Sequence, residues 1–472
     1  MTERTSPSLT VSSVLLGDGF RTRVATSARK EVIPLHVRYP RKIWQAMPAS
    51  LRREIAENLS YAGTHFIPLM MKVSELRYRF PCPSLESYWF QNTLKDLPAC
   101  ELADGVLPES YLKAFFNLTP SFAPSRQETS FIPQLPGKRM QNPSTRPHRV
   151  AIPFTFGKES MLTFGLAKTF GLSPVLMYVE EPSHPFERAW KRRELLRLGR
   201  QHEVDTVFVS NTLGSLRYGK ALGLKEETEI GWGSQTTQLA LLSLPLVFSH
   251  GVSSILIGNE GANNEAVQYG GVRAALSFDQ SAVWTPQQSA MTRALTGGYC
   301  SVFSSLEPIE EMAIFYMLHR YYPELGKLQF SCSAQRPLVS GSQWCHECYK
   351  CDRMFIFARC CDVDPFAIGF KRDLLAEPNH FEHYFGTKFA SGSGAELDFS
   401  FLTLERKGLL GVYRKVFMQC KKKLQPWAKM LPSFTTLQEE RNLAPFIRPQ
   451  LLRFFKKGLK EFEEALTAND GR

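Results

Sequence analysis

Four short apolar segments, separated by stretches with helical periodicity, constrain the fold of this chain more than any other feature of its sequence. The segments RVAIPFTF, PVLMYVEE, VDTVFVS and SSILIGN, between residues 149 and 259, have the length and apolar content of buried strands. Between them, Glu159–Phe170, Phe186–Gln201 and Gln235–His250 carry apolar residues at three-to-four spacing. Buried strands alternating with helices indicate right-handed βαβ units and a doubly wound parallel sheet of the α/β class.

Residue composition and apolar spacing divide the chain into three regions. Residues 1–146 are expected to form an N-terminal α+β substrate-recognition region ending in a Pro-rich linker, with a strand at EVIPLHVRYP and a helix near Pro48–Ala62. Residues 147–375 are expected to form the α/β core, and residues 376–472 a basic helical extension. Because no apolar run approaches the roughly 20 residues that cross a bilayer and no signal-peptide core is visible, we expect a cytoplasmic protein.

Positive charge is concentrated at the end of the chain. The net charge is +12, and the stretch from Leu404 to Arg472 holds 15 Lys/Arg against 7 Asp/Glu. Such a region favours an anionic partner, and contact with a membrane surface is one interpretation. A solvated helix face that aids solubility is the other. No aromatic pattern typical of nucleic-acid binding accompanies the charge, so a nucleic-acid partner is not expected.

The segment that follows the first core strand has the composition of a phosphate-binding loop. In FTFGKES, Gly157 allows a close backbone approach, and Lys158, Glu159 and Ser160 open the next helix. Backbone N–H groups at a helix N-terminus, together with a nearby Lys, bind anions. An ordinary strand-to-helix turn with polar caps explains the same residues.

Polar loops also follow the other core strands. After the fourth strand, GNEGANNEAVQYGG supplies Asn259, Glu260 and Glu265, which could reach a nucleotide, a metal or a substrate. Parallel strands of a doubly wound sheet bring such loops to one edge, where ligands bind. We therefore expect these loops to line a shared site.

Most of the ten Cys residues lie between Cys300 and Cys361, and one group has metal-ligand spacing. In WCHECYKCDR, Cys345, Cys348 and Cys351 are separated by two-residue gaps, and Cys332 lies upstream. Four thiolates at such spacing are typical of a closed, structural zinc site. An iron–sulfur cluster and a set of reduced core thiols are the alternatives, and His346 is a less suitable ligand because Cys345 precedes it.

Together these features resemble PP-loop ATP pyrophosphatases, and the layout is similar to that of 7-cyano-7-deazaguanine synthases. The loop TFGKES, from Thr155 to Ser160, stands where that superfamily has SGGKDS, so one glycine is lost and the acid is longer by one methylene. The resemblance implies ATP as cofactor and adenylation of a substrate carboxylate or carbonyl with release of diphosphate.

A longer series of blocks between residues 70 and 375 resembles the UDP-N-acetylmuramoyl-L-alanyl-L-glutamate epimerase family. The blocks are FGKES, YVEEPSHPFER, NTLGSLRYG, GWGSQTTQLALLSLPL, GNE, FDQSAVWTPQQ, LHRYYPELGKLQFSC and WCHECYKCDR. This resemblance implies ATP- and Mg²⁺-dependent inversion of the terminal L-Glu of UDP-MurNAc-L-Ala-L-Glu, a step of peptidoglycan biosynthesis that serves cell shape.

Site residues are assigned under this resemblance. Thr155, Gly157, Lys158 and Ser160 are expected to bind phosphates, Glu159 to hold Mg²⁺, and Asn259 to position the acidic residues. Candidates for acid–base work or metal binding are Glu260 and Asp279, with Cys300 as a thiol alternative and His250 and His319 as weaker ones. Substrate carboxylate or diphosphate clamps are expected from Arg188, Arg217 and Arg273.

Two other functions fit the same sequence. Another adenylating PP-loop enzyme, acting on a deazaguanine precursor, a nucleoside or tRNA, would use the same loop. A degenerate PP-loop protein would bind nucleotide without releasing diphosphate, and the departure from SGGKDS supports that alternative.

Overall fold

A computed structural model describes the fold over most of the chain. It describes residues 8–27, 32–71, 73–83, 86, 115, 117–124, 148–181, 185–224, 234–264, 266–269, 272–275, 278–332, 342–381, 384–385 and 394–468. In chain order the strands are β1 (Ser8–Leu16), β2 (Gly19–Thr26), β3 (Val32–Arg38), β4 (Glu75–Tyr78), β5 (Ser121–Phe122), β6 (Arg149–Pro153), β7 (Ser173–Glu180), β8 (Asp205–Asn211), β9 (Ser254–Ile257), β10 (Ala266–Tyr269), β11 (Val272–Ala275) and β12 (Ser301–Ser304).

The helices are numbered in the same way. They are α1 (Arg41–Gln45), α2 (Ala49–Ala62), α3 (Ile67–Met70), α4 (Lys158–Thr169), α5 (Pro185–His202), α6 (Gln235–His250), α7 (Thr285–Leu295), α8 (Glu311–Tyr321), α9 (Pro323–Gly326), α10 (Tyr349–Cys360), α11 (Gly394–Arg406), α12 (Arg414–Cys420), α13 (Trp427–Thr435) and α14 (Arg448–Thr467).

Ten strands form one mixed sheet in the order β12-β9-β6-β7-β8-β3-β2-β1-β4-β5. The five strands from β12 to β8 are all parallel, as the sequence predicts. The chain passes from β6 to β7 and β8 and then returns to β9 on the other side of β6, so the direction of winding reverses between β6 and β9. Ligands of such sheets bind beyond the carboxyl ends of the strands at this reversal.

The sheet is not purely parallel, because the N-terminal strands extend it. β3 pairs antiparallel with β8, with Val37 opposite Asn211, and β1–β3 form an antiparallel meander. The first hairpin has a two-residue loop, since Leu16 pairs with Gly19. The Ser8–Thr26 hairpin was not predicted from the sequence, although Gly17-Asp18 between two strands is a hairpin signal.

Side chains alternate between two hydrophobic cores, one on each face of the sheet. In β6, Val150 and Ile152 join the core formed with α4, α8, α10, α11 and α14, whereas Ala151 joins the core formed with α2, α6 and α7. Helices on both faces make the parallel part doubly wound. The N-terminal and C-terminal regions each share a core with residues 147–375, so the expected boundaries do not separate independent cores.

In the described part of residues 376–472 the structure has the four helices α11 to α14, in agreement with the expected helical character. In α14, Leu451, Phe455, Leu459 and Phe462 are buried, and the charged residues lie on the other face. Within the described residues, the structure contains no helix long and apolar enough to cross a membrane. Most of the Pro-rich stretch from Ser121 to His148 lies outside the described residues, apart from β5 and its neighbours.

Candidate functional site

The loop from Thr155 to Gly157 connects β6 to α4 at the winding reversal. Phe156 has a φ of 65°, in the left-handed region that glycine adopts readily. Its side chain is nevertheless fully buried, with ring centroids 4.8 Å from Phe154 and 5.4 Å from Trp190, and its carbonyl accepts from Phe330 N at 2.8 Å. The loop therefore has a glycine-like backbone at Phe156, where the side chain is held by burial.

Hydroxyl groups close this loop around the start of α4. Ser160 Oγ donates to Gly157 O at 3.0 Å, and Thr155 N donates to Ser160 Oγ at 3.3 Å. Gly157, the N-cap residue, provides no side chain to cap the helix. The backbone donors of the first turn consequently point into the site without a side-chain cap, which is the arrangement that binds anions.

Lys158 lies at the centre of an acidic cluster. Its side chain is 4% exposed, and Nζ forms ion pairs with Glu159, with Glu311 Oε1 at 2.7 Å and with Glu260 Oε2 at 3.6 Å. Burial opposes the charge on Lys158, but the three carboxylates raise its pKa above the ordinary value. We call Glu159, Glu260 and Glu311 the carboxylate cluster.

Arg353, on α10, supplies a second cation to the carboxylate cluster. Its Nη1 donates to Glu311 Oε2 at 2.5 Å. Burial opposes ionisation of Glu311, but Arg353 and Lys158 together lower its pKa to about 2. Burial raises the pKa of Glu260 well above its ordinary value, in spite of Lys158. Lys158 and Arg353 thus balance the negative charge of Glu311, whereas a negative charge on Glu260 is the least well balanced in the cluster.

The carboxylate cluster has the donor set of a hard divalent cation. One oxygen from each of its members lies within 4.8 Å of the others. Glu260 Oε2 is buried and has no hydrogen-bond partner among the described residues. Oxygen ligands and unbalanced negative charge suit Mg²⁺. Gly258 is required nearby, because a Cβ there would lie 2.7 Å from Glu159 Cβ.

The four predicted metal-ligating cysteines come together. Their sulfurs all lie within 4.8 Å of one another, with Cys332–Cys348, Cys345–Cys351 and Cys348–Cys351 at 3.9, 3.8 and 3.5 Å. A tetrahedral zinc with bonds of about 2.3 Å separates its sulfurs by about 3.8 Å. The cluster could therefore hold a metal ion such as zinc.

The surroundings of the cysteines also match a thiolate site. Cys345 N donates to Cys332 Sγ at 3.3 Å, and Glu347 N donates to Cys345 Sγ at 3.4 Å, which stabilises negative sulfur. His346 is buried and its Nε2 accepts from Lys371 N at 2.9 Å, so it faces away from the sulfurs, as expected. Cys348 is the residue immediately before α10, and Cys351 lies in the first turn of this helix, two residues before Arg353.

Arg217 belongs to a separate buried network at the ends of β7 and β8. Its Nη1 contacts both oxygens of Glu181 at 2.8 and 2.7 Å, and its Nη2 donates to Gln238 Oε1 at 2.9 Å. Asn211 also donates to Glu181, and Gly214 packs so closely on this carboxylate that a Cβ would lie 2.5 Å from Glu181 Cδ. The structure thus uses Arg217 as framework rather than as a clamp that is open to substrate.

Asp279 and Asn259 are both buried beside the site. Asp279 Oδ2 accepts from Thr236 N at 2.7 Å, which caps the start of α6, and burial raises the pKa of this carboxyl to about 7. Asn259 Nδ2 donates to Thr285 Oγ1 at 3.1 Å, while its buried Oδ1 has no partner among the described residues. Asp279 therefore lies against a helix end and outside the carboxylate cluster.

Several other predicted residues are not brought to the cluster. Cys300 is buried at the amino end of β12, the edge opposite the site, and burial raises its pKa. His250 ends α6 near that same edge. His319 is paired with Gln329 Oε1 at 2.9 Å, and burial lowers its pKa to about 4. The sequence-based expectation of Cys300 at the site is not matched, because it precedes its strand instead of following it.

The remaining predicted clamps have different positions. Arg188, in the first turns of α5, is 58% exposed and lies 3.9 Å from Glu180, so it is available at the site edge. Arg273 pairs with Gln268 in the β10–β11 hairpin, but its side chain lies outside the described residues, as does Glu265.

Glu311 and Arg353 were missed by the sequence analysis. Glu311 follows β12, a four-residue strand whose sequence, SVFS, gives little apolar signal. Recognising that strand would have indicated the polar residues after it. Arg353 carries no local signal beyond its closeness to the CxxC motif.

A search of protein-family models with this chain finds no match, and a search of curated proteins finds none either.

Proposed function

We propose that this protein adenylates a carboxylate with ATP and Mg²⁺, and that it thereby inverts the terminal L-Glu of UDP-MurNAc-L-Ala-L-Glu. The observation that carries the proposal is the position of Lys158. It starts a helix at the winding reversal of a doubly wound sheet, and it contacts the carboxylate of the adjacent Glu159 and one carboxylate from each of two further segments. This arrangement supports a site for a triphosphate and its cation.

The first turn of α4 is the proposed phosphate site. Its uncapped backbone donors, with Ser160 and Thr155, line one side of the loop. Lys158 provides the positive charge, and it would contact phosphate oxygens once a cation shares the carboxylates. The loop conformation at Phe156 supports the equivalence of TFGKES with SGGKDS, because the backbone is glycine-like where a glycine is lost.

Glu159, Glu260 and Glu311 would hold Mg²⁺, because their oxygens converge and Glu260 is under-compensated. Bound there, Mg²⁺ would offset charge on the triphosphate and on the departing diphosphate. Arg353 and Lys158 fix the orientation of the Glu311 carboxylate, because Arg353 contacts one of its oxygens and Lys158 contacts the other.

Adenylation makes chemical sense as preparation for epimerisation. Removal of the α-proton from a free carboxylate creates a second negative charge beside the first. When a carboxylate oxygen attacks the α-phosphorus and diphosphate leaves, the resulting acyl-adenylate is neutral at the carbonyl and can accept the electron pair of the C–H bond. Return of a proton to the opposite face, followed by attack of water on the acyl carbon, yields the D-isomer and AMP.

Glu260 acts as a metal ligand in this proposal and not as the acid–base group, because a carboxylate that coordinates Mg²⁺ is held in its ionised form. Asp279 serves as a cap of α6 in this proposal, and Cys300 has no part in it. Arg188 is the proposed contact for an anionic group of the substrate because it is exposed at the same edge.

The choice of substrate is supported by the sequence resemblance described above. The blocks from FGKES to WCHECYKCDR include the phosphate loop, the GNE segment with Asn259 and Glu260, and all four cysteines. They therefore include most of the residues that the structure brings together around Lys158 and in the four-cysteine cluster.

The test is incubation with ATP, Mg²⁺ and UDP-MurNAc-L-Ala-L-Glu in deuterated water. We expect diphosphate release, deuterium at the glutamate α-carbon and D-Glu after acid hydrolysis. Lys158→Met should reduce diphosphate release by about 100-fold or more, whereas Lys168→Met, at the far end of the same helix, should not change it. Thermal melting of both variants separates loss of chemistry from loss of folding.

Each other outcome has a definite meaning. Diphosphate release with an untouched α-carbon would retain adenylation and reject epimerisation, which would direct the search to deazaguanine precursors or nucleosides. Failure of the folded, metal-loaded protein to release diphosphate with any carboxylate would reject the proposal, and ATP binding alone would then favour a non-catalytic nucleotide-binding protein.

A further inference from the structure

The segment from Arg406 to Gln438 is rich in basic residues and contains no acidic residue. No other described stretch without an acidic residue is as long. The segment holds eight Lys/Arg and no Asp or Glu. Lys407 is paired with Asp362, and Lys421 is paired with Glu405, both at 2.7 Å. Five other basic residues of the segment form no ion pair with any described residue: Arg414, Lys415, Lys422, Lys423 and Lys429.

Helix α12 presents part of this charge on one side. Tyr413 and Phe417 are buried, and Phe417 packs on Phe385 and Phe401. This anchoring turns the opposite side outward. We define the α12 outer face as Arg414, Lys415, Met418 and Gln419 of the helix together with Lys422 in the turn that follows it, and all five are exposed.

Apolar side chains accompany the charge. Val412 is 53% exposed and Met418 is 46% exposed, and among the described residues only six large apolar side chains are at least 46% exposed. The aromatic residues of the segment are buried, with Trp427 8% exposed. Exposed basic and aliphatic side chains without exposed aromatic rings suit a lipid surface better than single-stranded nucleic acid, which stacks its bases on aromatics.

We propose that the α12 outer face, with Val412 and Lys423, docks the protein on an anionic phospholipid surface. Lys and Arg bind the headgroups electrostatically, and Val412 and Met418 enter the interface between headgroups and acyl chains. Helix α14 is the contrasting surface, since its exposed Arg453, Lys456 and Lys460 are followed in the same helix by Glu461, Glu463 and Glu464, and Lys460 lies 3.9 Å from Glu464. This docking is independent of the proposed reaction, because it uses none of the residues around Lys158.

The test is co-sedimentation of the full chain with vesicles of phosphatidylcholine alone, or with about a quarter of phosphatidylglycerol. We expect binding only to the anionic vesicles, weakened by added salt. The triple variant Arg414→Gln, Lys415→Gln, Lys422→Gln should lower the partition coefficient roughly 30- to 100-fold. The matched variant Arg453→Gln, Lys456→Gln, Lys460→Gln loses the same charge and should change it only a few-fold.

The apolar part has its own test. Val412→Gln with Met418→Gln leaves the charge unchanged, and it should remove the fraction of binding that resists high salt. If the two triple variants lost vesicle binding to the same extent, binding would depend on net charge alone and the proposal would be overturned. Absence of binding by the wild-type protein would also overturn it. Tighter binding of a single-stranded RNA, lost in the Arg414 variant, would also overturn it. Unchanged melting temperatures are required of every variant that is compared.

Discussion

Arg353 and Glu311 form a 2.5 Å ion pair that joins α10 to α8 beneath the carboxylate cluster. Arg353 is two residues from Cys351, and the other oxygen of Glu311 accepts from Lys158 at 2.7 Å. The four-cysteine cluster and the loop lysine are therefore connected through one helix turn and one carboxylate. The relationship predicts that changes at the cysteines reach the carboxylate cluster through Arg353.

Removal of Arg353 is expected to leave Glu311 buried with only Lys158 for compensation. Arg353→Met should lower the free energy of unfolding by about 3–5 kcal/mol, the usual effect of breaking one side of a buried pair. Arg353→Lys should recover part of this, because it keeps the charge but not the planar fork. Urea denaturation measures both. Arg359→Gln, on the same helix, is the control, and an equal loss there would contradict the assignment.

Glu311 predicts an acid-dependent loss of stability. Its pKa in the folded protein is about 2, below the ordinary value of 4.5, so its ionised form stabilises the fold. This contribution is present above the unfolded pKa and disappears as pH falls from 4.5 towards 2. Glu311→Gln should therefore reduce the loss of unfolding free energy between these pH values, as measured by urea denaturation. A slope identical to wild type would contradict it.

The four-cysteine cluster predicts one tightly held zinc for each chain. Cys348→Ser should lower the zinc content measured by elemental analysis and lower the melting temperature by several degrees or more. Cys82→Ser, at an exposed cysteine outside the cluster, should change neither quantity. If Arg353 transmits the effect, zinc removal should also weaken binding of Mn²⁺ at the carboxylate cluster, observed by electron paramagnetic resonance. Full zinc content in Cys348→Ser would reject this metal set.

Periodicity and composition could predict the elements that are long and strongly patterned. Helix α6 has the predicted bounds Gln235–His250, β6 and β9 lie within their predicted apolar segments, and β7 and β8 each extend one residue beyond theirs. Their signals are local, because each buries a continuous set of apolar residues against the sheet. The cysteine cluster was predictable for the same reason, since three of its ligands lie within seven residues.

The parts that could not be predicted depend on contacts between distant residues. Glu311 is far from Lys158 in the chain, and only the position of β12 beside β9 brings its loop to the site. Arg217 was predicted to be a substrate clamp from its residue type and its position in a polar loop. Its pairing with Glu181 depends on tertiary structure, which the sequence does not reveal. Asp279 likewise could not be told from a catalytic acid, since its hydrogen bond to Thr236 links separate segments.

Asp279 is expected to cap helix α6, and its ionised form is expected to lower the stability of the folded protein because the carboxyl group is buried. Its pKa of about 7 is above the ordinary value, so the stabilising, protonated state is present at low pH and is lost as pH rises through 7. Asp279→Asn keeps an acceptor for Thr236 N, and it should retain diphosphate release and lose the decline in stability between about pH 4 and pH 7. Asp279→Ala removes the cap and should cost about 1–2 kcal/mol. Loss of turnover in the well-folded Asn variant would instead assign Asp279 to the chemistry.

Phe156 combines a left-handed backbone with a fully buried ring, and the two can be separated by substitution. Phe156→Ala should cost about 3–5 kcal/mol, because it empties the space beside Phe154 and Trp190. Phe156→Gly empties the same space but removes the left-handed strain of about 1–2 kcal/mol, so it should be more stable than the Ala variant. Phe164 in α4 is the matched control: it is equally buried but helical, so Gly should be less stable than Ala there by about 1 kcal/mol. Urea denaturation of the four variants measures both differences. The same order at both positions would show that the loop backbone is not strained, and it would remove the structural basis for equating TFGKES with a glycine-containing loop.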